Sequence, residues 1–309
     1  MKQSQIQIEP CQPFLGAEIS GVDLRQPINE EVANEIRAAL LRYQVIVFRD
    51  QDINRDQHRA LAQIFVEDQN APFSIQANQT TPVPGYPEIL RMATDGTKKI
   101  AVDVWHTDES FRVAPPTVSV LRGLTVPSLG GDTIFSSAVA AYEYLPHEVK
   151  EKIRDLKALH GAEFIFRYTY GNATPDKVEK QKKDFPPLEQ PVVRFHPETK
   201  LPMLYVNQGY TGPIVGMDEE EGNALLALLF DQIKRPDYQM RVRWRPNSIV
   251  IWDNRSVQHY AVGDYTEPRI MERIVVAGAE PAKGFSDVAA IFCDQDSQIT
   301  ALEPARPEG

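Results

Sequence analysis

Three side chains that commonly bind metals stand in a spacing that suits a single ion. His106 and Asp108 are two residues apart, so in an extended chain their side chains project to the same side, and His259 follows far down the chain. Two histidines and one carboxylate can hold a non-haem Fe(II) on one face and leave the other coordination positions open. Arg269 and Arg273 come shortly after His259 and could bind carboxylate groups beside such an ion. The pattern predicts a metal centre that works with an anionic ligand.

The chain has six histidines, so the metal hypothesis can be examined by elimination. His58 falls within a predicted helix and is most simply a packing or surface residue. His147 stands at a predicted helix start, and His160 stands at the predicted end of that helix, where the helix dipole favours a histidine without any metal. His196 and Glu198 repeat the His-x-carboxylate spacing, but the proline between them predicts a turn. A lone pair of this kind is weak evidence, so the choice depends on residues further along the chain.

The segment RIMERIVVAG at residues 269–278 predicts a strand with two arginines on one face. Arg269 and Arg273 alternate with Ile270, Glu272 and Ile274, which would lie on the opposite face. Two arginines are costly to bury without anions. Either they form salt bridges to acidic residues within the fold, or they bind an anionic ligand. Taken alone, the salt bridges are the simpler explanation.

These residues need strands and helices to position them. Continuous apolar or β-branched runs predict buried strands, and apolar residues at helical spacing behind good caps predict amphipathic helices. The predicted strands are 45–48, 117–121, 202–206, 249–252 and 270–276. The predicted helices are 29–43, 54–66, 146–159 and 219–234, the first beginning at Asn29 and the last at an Asp218-x-x-Glu221 capping box. From about residue 280 the periodicity is lost, and residues 303–309 are expected to fray.

Composition sets the broad class of the protein. With 309 residues, 42% hydrophobic and 25% charged, the chain can bury one large core, and we expect a single domain over residues 1–309. A formal net charge of -10 with dispersed Lys and Arg argues against a nucleic-acid partner. Two cysteines provide neither a disulfide framework nor a Cys-based zinc site. Neither the first residues nor any apolar run suits a signal peptide or a membrane span, so we expect a cytoplasmic protein without a membrane partner.

Seven segments share their sequence and their order with one protein family. They span most of residues 10–280 and read LGAEISGVDL (15–24), YQVIVFRDQDI (43–53), WHTD (105–108), GGDT (130–133), LYVNQGY (204–210), WDNRSVQHYAVGDY (252–265) and RIMER (269–273). On these motifs the chain resembles the TauD/TfdA family of Fe(II)- and 2-oxoglutarate-dependent dioxygenases. The resemblance implies a mixed α/β, mainly β fold with a double-stranded β-helix, or jelly-roll, core and flanking helices. It also implies one catalytic domain, with residues 281–309 as a C-terminal extension.

The resemblance implies a role for eight residues of this chain. It assigns iron binding to His106, Asp108 and His259, binding of the distal 2-oxoglutarate carboxylate to Thr133 and Arg269, contact with the anionic end of the substrate to Arg273, and the walls of the substrate site to Phe166 and Tyr210. The two wall residues could equally be core aromatics. The chemistry implied is the O2-dependent decarboxylation of 2-oxoglutarate to succinate and CO2, coupled to hydroxylation of a substrate C–H bond. Related halogenases lack the carboxylate ligand, so Asp108 favours hydroxylation, or the cleavage that follows it, over halogenation.

The substrate is the point at which this sequence departs from the taurine-cleaving members. Those enzymes carry an Asn four residues before the first ligand His and a further His upstream, and both help to recognise taurine. Here Val102 replaces the Asn, and no histidine lies between His58 and His106. An ammonium group buried without polar partners is strongly disfavoured. We therefore expect a different small anion with a less polar body, such as an alkyl sulfonate, an alkyl sulfate ester or an aryloxy-carboxylate.

Two other functions remain open from the sequence. A biosynthetic oxidase acting on an amino-acid-derived carboxylate would share the fold and the cofactors, whereas a zinc hydrolase would use the same triad but leave Thr133 and Arg269 unexplained. We favour the catabolism of sulfur compounds or xenobiotics over both. Relatives with this fold often form dimers or tetramers, so we expect a homo-oligomer. Residues 68–87, rich in Gln, Asn, Thr and Pro, are expected to form either a loop over the site or an ordinary surface connection.

Overall fold

The apolar runs of the sequence form the strands of one large sheet and of several small ones. The computed structural model describes residues 6–75, 83–97, 103–168 and 174–292. Within these ranges the strands, numbered along the chain, are β1 (Gln7–Pro10), β2 (Ala17–Ser20), β3 (Val45–Phe48), β4 (Leu90–Thr94), β5 (Val118–Thr125), β6 (Thr133–Ser137), β7 (Lys157–His160), β8 (Leu188–Pro191), β9 (Val193–Phe195), β10 (Pro202–Leu204), β11 (Thr211–Ile214), β12 (Gln239–Val242), β13 (Ile249–Asp253), β14 (Val257–Ala261) and β15 (Arg269–Val276).

Several helices begin where a side chain caps the first turn. Asn29, Asn54 and Asp218 each accept hydrogen bonds from backbone N–H groups of the turn that follows. The helices are α1 (Glu30–Tyr43), α2 (Arg55–Gln63), α3 (Ala138–Glu143), α4 (His147–Ile153), α5 (Pro175–Asp184), α6 (Glu219–Ile233) and α7 (Phe285–Phe292), with 3-10 helices at Ala162–Arg167 and Pro236–Tyr238. Over the ranges that the structure describes, each helix is too short or too polar to cross a bilayer.

Two facing sheets form a jelly-roll core. The large sheet has the strand order β1-β2-β3-β13-β5-β15-β4, and a three-stranded sheet has the order β12-β6-β14. Apolar side chains from both sheets pack into one buried cluster that includes Val45, Val47, Leu121, Phe135, Val242, Trp244, Val250, Trp252 and Met271. The metal-ligand candidates and both predicted arginines are attached to these two sheets or to the turns beside them. The core therefore fixes the site between the sheets.

The outer face of the large sheet is covered by α1 and α2. Strand alternation sends Ile46 and Phe48 outward, while Val45 and Val47 point into the core between the sheets. From the helices, Ile36, Leu40 and Leu61 complete the outer cluster and are almost fully buried. Both faces of the large sheet are covered. The sequences of its central strands are therefore continuous apolar runs, and apolar and polar residues do not alternate in them.

The structure corrects the predicted helix over residues 146–159. Helix α4 ends at Ile153, and Lys157–His160 forms β7, which pairs with β8 and β11. Within β7, Ala158 and His160 are buried whereas Lys157 is exposed, a two-residue period that fits a strand. His160 therefore lies in a sheet and not at a helix end. Pairing on both sides of the strand outweighs the helical propensity of the segment.

Two further boundaries differ from the expectation. The helix predicted for residues 54–66 ends earlier, since α2 stops at Gln63. Residues beyond 280, where the periodicity was expected to fail, include α7. The other predicted helices and strands agree with the structure within a few residues, and His196 lies in the predicted turn, between β9 and β10. The expected fraying of residues 303–309 lies outside the described residues.

Candidate active site

Two short extended segments bring the metal-ligand candidates together. His106 and His259 pair as an antiparallel bridge, in which His106 N donates to His259 O at 3.1 Å and His259 N donates to His106 O at 2.9 Å. The centroids of their rings lie 4.1 Å apart. Asp108 lies in the turn that follows His106, and the possible ligand atoms of the three buried side chains lie within 4.8 Å of one another. The structure thus gathers the three residues that the spacing singled out.

Hydrogen bonding and burial fix the protonation of the two rings. A carbonyl oxygen can only accept, so the 2.8 Å contact between His106 Nδ1 and Val104 O places the ring proton on Nδ1 and leaves a lone pair on Nε2. The Nε2 atoms of His106 and His259 lie 3.8 and 3.9 Å from one carboxylate oxygen, Asp108 Oδ1. Burial lowers the pKa of both histidines. Both rings are therefore neutral and able to donate a lone pair.

Asp108 stays ionised although it is buried. Burial alone would raise the pKa of its carboxyl group, but opposing effects, of which the positive charge of Arg273 is the largest, lower that pKa to about 2. Arg273 Nη1 donates to both carboxylate oxygens at 3.0 Å, and Ser119 Oγ donates to Oδ2 at 3.2 Å. One anionic oxygen and two neutral nitrogens are the donor set of two-histidine, one-carboxylate iron sites.

The turn that carries Asp108 is held by a residue that the sequence analysis did not single out. The side chain of Asn254 accepts from Asp108 N at 2.8 Å and donates to Asp108 O and Pro116 O, each at 3.0 Å. Asn254 is fully buried in the turn after β13. The available signal was its position in WDNR, between a buried strand and His259. The turn after β13 therefore holds Asp108 through Asn254, and it leads into β14, which carries His259.

Arg269 begins β15 without a counter-ion. The residue is 5% exposed, its Nε has no hydrogen-bond partner, and it forms no salt bridge with any residue that the structure describes. Its guanidinium carbon lies 5.8 Å from the ring centroid of Tyr265, and burial lowers its pKa. Because an aromatic ring does not neutralise a buried cation, this position suits an anionic ligand. The salt-bridge explanation therefore applies to Arg273 and not to Arg269.

The GGDT turn passes directly over Arg269. Gly131 has φ +71°, and a Cβ built on it would lie 3.5 Å from Arg269 Cδ and 3.2 Å from Tyr265 Cδ1. Two residues later, Thr133 Oγ1 accepts from Trp244 Nε1 at 3.0 Å. Since its oxygen already accepts one bond, the hydroxyl of Thr133 can donate its own proton to an anion. Trp244 is a further residue that the sequence analysis missed, although a buried indole N–H needs an acceptor of this kind.

The predicted wall residues occupy different surroundings. The ring of Tyr210 lies 6.1 Å from the ring of His106 and 5.0 Å from that of Phe111, between centroids. Burial raises the pKa of Tyr210, and the neighbouring carboxylate of Asp108 adds to this shift. Phe111 also contacts Phe185 edge to face at 5.2 Å. Tyr210, Phe111 and Phe185 thus form an aromatic wall beside the triad. Of these three residues, the sequence analysis predicted only Tyr210.

Of the other two predicted substrate residues, the structure describes Phe166. Phe166 is half-buried in the 3-10 helix Ala162–Arg167. Its neighbour Ile165 reaches further inward, because a Cβ on Gly209 would meet Ile165 Cδ1 at 3.1 Å and His106 Cβ at 2.9 Å. Val102 lies outside the described residues, as does part of the expected loop over residues 68–87.

Comparisons with known proteins agree with this geometry. The family model described as "Taurine catabolism dioxygenase TauD, TfdA family" matches residues 7–275. The chain is 33% identical to an alkylsulfatase of Acinetobacter baylyi, covering 89% of this chain and 86% of that protein. It is 34% identical to an alpha-ketoglutarate-dependent sulfate ester dioxygenase of Pseudomonas putida, covering 90% of this chain and 91% of that protein. A crystal structure of a taurine dioxygenase from Burkholderia xenovorans superposes with a TM-score of 0.77 at 32% identity, covering 92% of each chain.

Proposed function

The chain belongs to the TauD/TfdA family of 2-oxoglutarate-dependent dioxygenases, and from this premise we propose that it hydroxylates a C–H bond of a small organic anion with an apolar body. The observation that carries the proposal is the combination of the triad with Arg269. A triad alone could serve several metals and reactions. A buried arginine without a counter-ion beside the same core calls for a co-substrate that brings its own carboxylate.

The family implies iron and 2-oxoglutarate, and the residues present fit an iron ion. We propose that His106, Asp108 and His259 hold Fe(II) through two neutral ring nitrogens and one carboxylate oxygen. The hydrogen bond from His106 Nδ1 to Val104 O orients that ring, and Asn254 fixes the backbone of Asp108. Such supporting hydrogen bonds hold ligands in place before the metal arrives.

The co-substrate site is proposed at Arg269 and Thr133. The guanidinium would pair with the distal carboxylate of 2-oxoglutarate, and the Thr133 hydroxyl would donate a hydrogen bond to the same group. Gly131 leaves room for this contact because a side chain on it would lie against Arg269. With iron bound, 2-oxoglutarate and O2 supply the oxidising power for hydroxylation, releasing succinate and CO2. The protein's own part is to orient the co-substrate and to exclude water.

The substrate is proposed to lie over the triad with its anionic end near Arg273. A guanidinium has five N–H donors, so the contact of Nη1 with Asp108 is compatible with a second anion on the same side chain. Tyr210 and Phe111 would contact the apolar body. We favour alkyl sulfate esters and alkyl sulfonates, with aryloxy-carboxylates next, because relatives named for sulfate esters match this chain over most of its length.

The test begins with anaerobic addition of Fe(II) and 2-oxoglutarate. We expect the visible metal-to-ligand charge-transfer band that a bidentate 2-oxo acid gives on Fe(II). The band should be lost in His106→Ala and retained in His147→Ala, a matched control at an exposed histidine in helix α4. A band that survives in His106→Ala would refute the proposed ligand set.

The substrate class is tested next by succinate release in air. We expect hexyl sulfate and hexane-1-sulfonate to give at least tenfold more succinate than taurine at equal concentration. Equal turnover of taurine would refute the apolar-body proposal. Preferred turnover of amino-acid-derived carboxylates would instead support the biosynthetic oxidase. The zinc hydrolase is disfavoured, since the family is oxidative and a hydrolase has no use for Arg269.

A further inference from the structure

A cavity that does not include the triad lies beside the turn that follows β9. It has a volume of about 500 Å³ and lies between the β9–β10 turn, the turn after β13 and the segment that leads into α7. Its polar lining consists mainly of basic and acidic side chains, among them Arg194, Arg255, Glu198 and Lys283. Its apolar lining includes Pro115, Phe195, Pro281 and Val288. Neither the triad nor Arg269, Arg273 or Thr133 contributes to it.

Arg194 is the deepest charge in this cavity and lacks a counter-ion. The residue is 4% exposed, and its Nε has no hydrogen-bond partner. Its guanidinium carbon lies 4.6 Å from the ring centroid of Tyr205, a cation–π contact that supports the group without neutralising it. In the part of the chain that the structure describes, Arg194 forms no salt bridge. Burial, with a contribution from neighbouring Arg255, lowers the pKa of Arg194.

The other buried arginine of the cavity lining, Arg255, is already neutralised. Arg255 pairs with Asp253 and Glu198 through bonds of 2.8 Å each, and its Nη1 also lies 3.5 Å from Glu67. These acids are held by Arg255 and form no salt bridge with Arg194. The contrast between the two arginines singles out Arg194 as the charge that the fold leaves unbalanced.

The remaining basic side chains of the cavity lining also have partners within the fold. Lys283 Nζ lies 2.8 Å from Glu280. His196 Nε2 contacts Asp253 Oδ2 at 2.8 Å, and Lys200 bonds to the carbonyl of Pro197. The lysines are exposed, so water solvates their charge at little cost. Among the basic side chains that line this cavity and that the structure describes, Arg194 alone combines burial with the lack of a salt bridge. A buried charge of this kind is strongly disfavoured unless an anion joins it.

We propose that this cavity binds a small organic anion, with a carboxylate, sulfonate or sulfate head on Arg194 and an apolar body against Phe195, Pro281 and Val288. A guanidinium pairs with planar and tetrahedral oxyanions through two parallel N–H donors. The cavity volume of about 500 Å³ lies within the usual range of small-molecule sites, about 300–1,000 Å³. The site stands independently of the dioxygenase reaction, because it shares no side chain with the proposed active site.

The probes are 6,6,6-trifluorohexanoate and 6,6,6-trifluorohexane-1-sulfonate, followed by 19F NMR with the Fe(II)-loaded protein under anaerobic conditions. We expect two bound populations of probe, one at each site. Arg194→Met should remove one of them, and Arg273→Met should remove the other. Inorganic sulfate should displace the probe from the Arg194 site less effectively than unlabelled hexane-1-sulfonate does, and equal displacement by the two would overturn the proposed contact with the apolar body.

Two variants guard against misfolding and against non-specific charge effects. Ala279→Trp changes an exposed residue of the cavity lining, fills the space without altering any charge, and should remove the same population as Arg194→Met. Arg235→Met removes an exposed arginine elsewhere and should change neither population. Both Arg194→Met and Ala279→Trp should keep turnover within about twofold of the parent chain. A single bound population that is lost in Arg273→Met and unchanged in the two cavity variants would overturn the proposal.

Discussion

Strand β15 carries buried charge on both of its faces, and the two faces neutralise it differently. On the outer face, Glu272 is fully buried and faces Arg122 and Arg91 as direct cross-strand neighbours. Arg122 and Arg55 each approach its carboxylate at 2.6 Å, and Arg91 does so at 3.0 Å. On the inner face, the cross-strand neighbour of Arg269 is Thr94, which carries no charge.

The difference separates structural charge from functional charge. A buried ion that stabilises the fold has counter-ions from the paired positions of the adjacent strands and from the helix that covers this face of the sheet. Where a buried ion serves a ligand, the neighbouring positions are neutral and the missing charge arrives with the ligand. Arg273 is intermediate, because it shares the inner face with Arg269 but pairs with Asp108, a proposed metal ligand. Substitutions on the two faces of β15 test whether the two kinds of buried charge differ in this way.

The largest effect is expected from Glu272→Gln. Removing the carboxylate leaves Arg122 buried without an anion, and breaking a buried ion pair by loss of one partner costs about 3–5 kcal/mol. We expect the free energy of unfolding, measured by urea denaturation, to fall by about that amount. Glu179→Gln, at an exposed position of α5, is the matched control and should change stability by less than about 0.5 kcal/mol. Equal effects of the two variants would remove the structural half of the contrast.

Arg269→Met should behave in the opposite way. Without 2-oxoglutarate, replacing a buried, unpaired cation by an apolar side chain of similar length should leave the free energy of unfolding unchanged or raise it by about 1 kcal/mol. Affinity for 2-oxoglutarate should fall about 100-fold, or about 2.8 kcal/mol, because the distal carboxylate loses its partner. Urea denaturation and anaerobic titration of the visible band measure the two quantities.

The control for Arg269→Met is Arg245→Met, which removes an exposed arginine and should affect neither stability nor affinity. A loss of about 3 kcal/mol of stability in Arg269→Met, without any loss of affinity for 2-oxoglutarate, would make Arg269 a structural residue like Glu272. The proposed co-substrate site would then have to be moved elsewhere.

The sequence predicted the elements that local rules determine. Capped amphipathic helices such as α1 and α6, and continuous apolar strands such as β3 and β13, follow from periodicity and side-chain chemistry within one segment. Strand β7 did not follow, because its conformation depends on pairing with β8 and β11 from distant parts of the chain. Non-local pairing leaves only a weak trace in the segment itself.

The residues of the site also fall into those that the sequence predicted and those that it did not. Residue type and spacing made the triad and Arg269 candidates, and the family resemblance assigned their roles. The supporting residues were not, since Asn254 and Trp244 act through contacts that join positions more than 100 residues apart. Alternation placed Glu272 on the face opposite the arginines, but its three partners come from α2, β4 and β5 and could not be read from β15. Residue type suggests a role, and tertiary contact decides between roles.

The smallest expected effect is the pH dependence of the free energy of unfolding, which tests the charge on Glu272 specifically. Burial opposes ionisation of Glu272, but hydrogen bonds from Arg55 and Arg122 outweigh it and lower its pKa from 4.5 to about 2. The folded state therefore favours the carboxylate. This contribution is fully present above pH 4.5 and is lost as the pH falls from 4.5 towards 2. Because Arg55 and Arg91 are partly exposed to solvent, we expect the loss to be about 1–2 kcal/mol rather than the full value.

The comparison of the parent chain with Glu272→Gln isolates this loss from other acid-sensitive groups. Burial lowers the pKa of His58 from 6.5 to about 4, so that histidine weakens the fold between those values in both proteins. Asp108, with a pKa of about 2, also titrates in both. The difference between their unfolding free energies reports mainly on Glu272, with a smaller contribution from His58, whose pKa the charge of Glu272 raises. This difference should narrow as the pH falls below 4.5. A difference that stayed constant down to pH 2.5 would show that the three arginines do not stabilise the ionised form of Glu272.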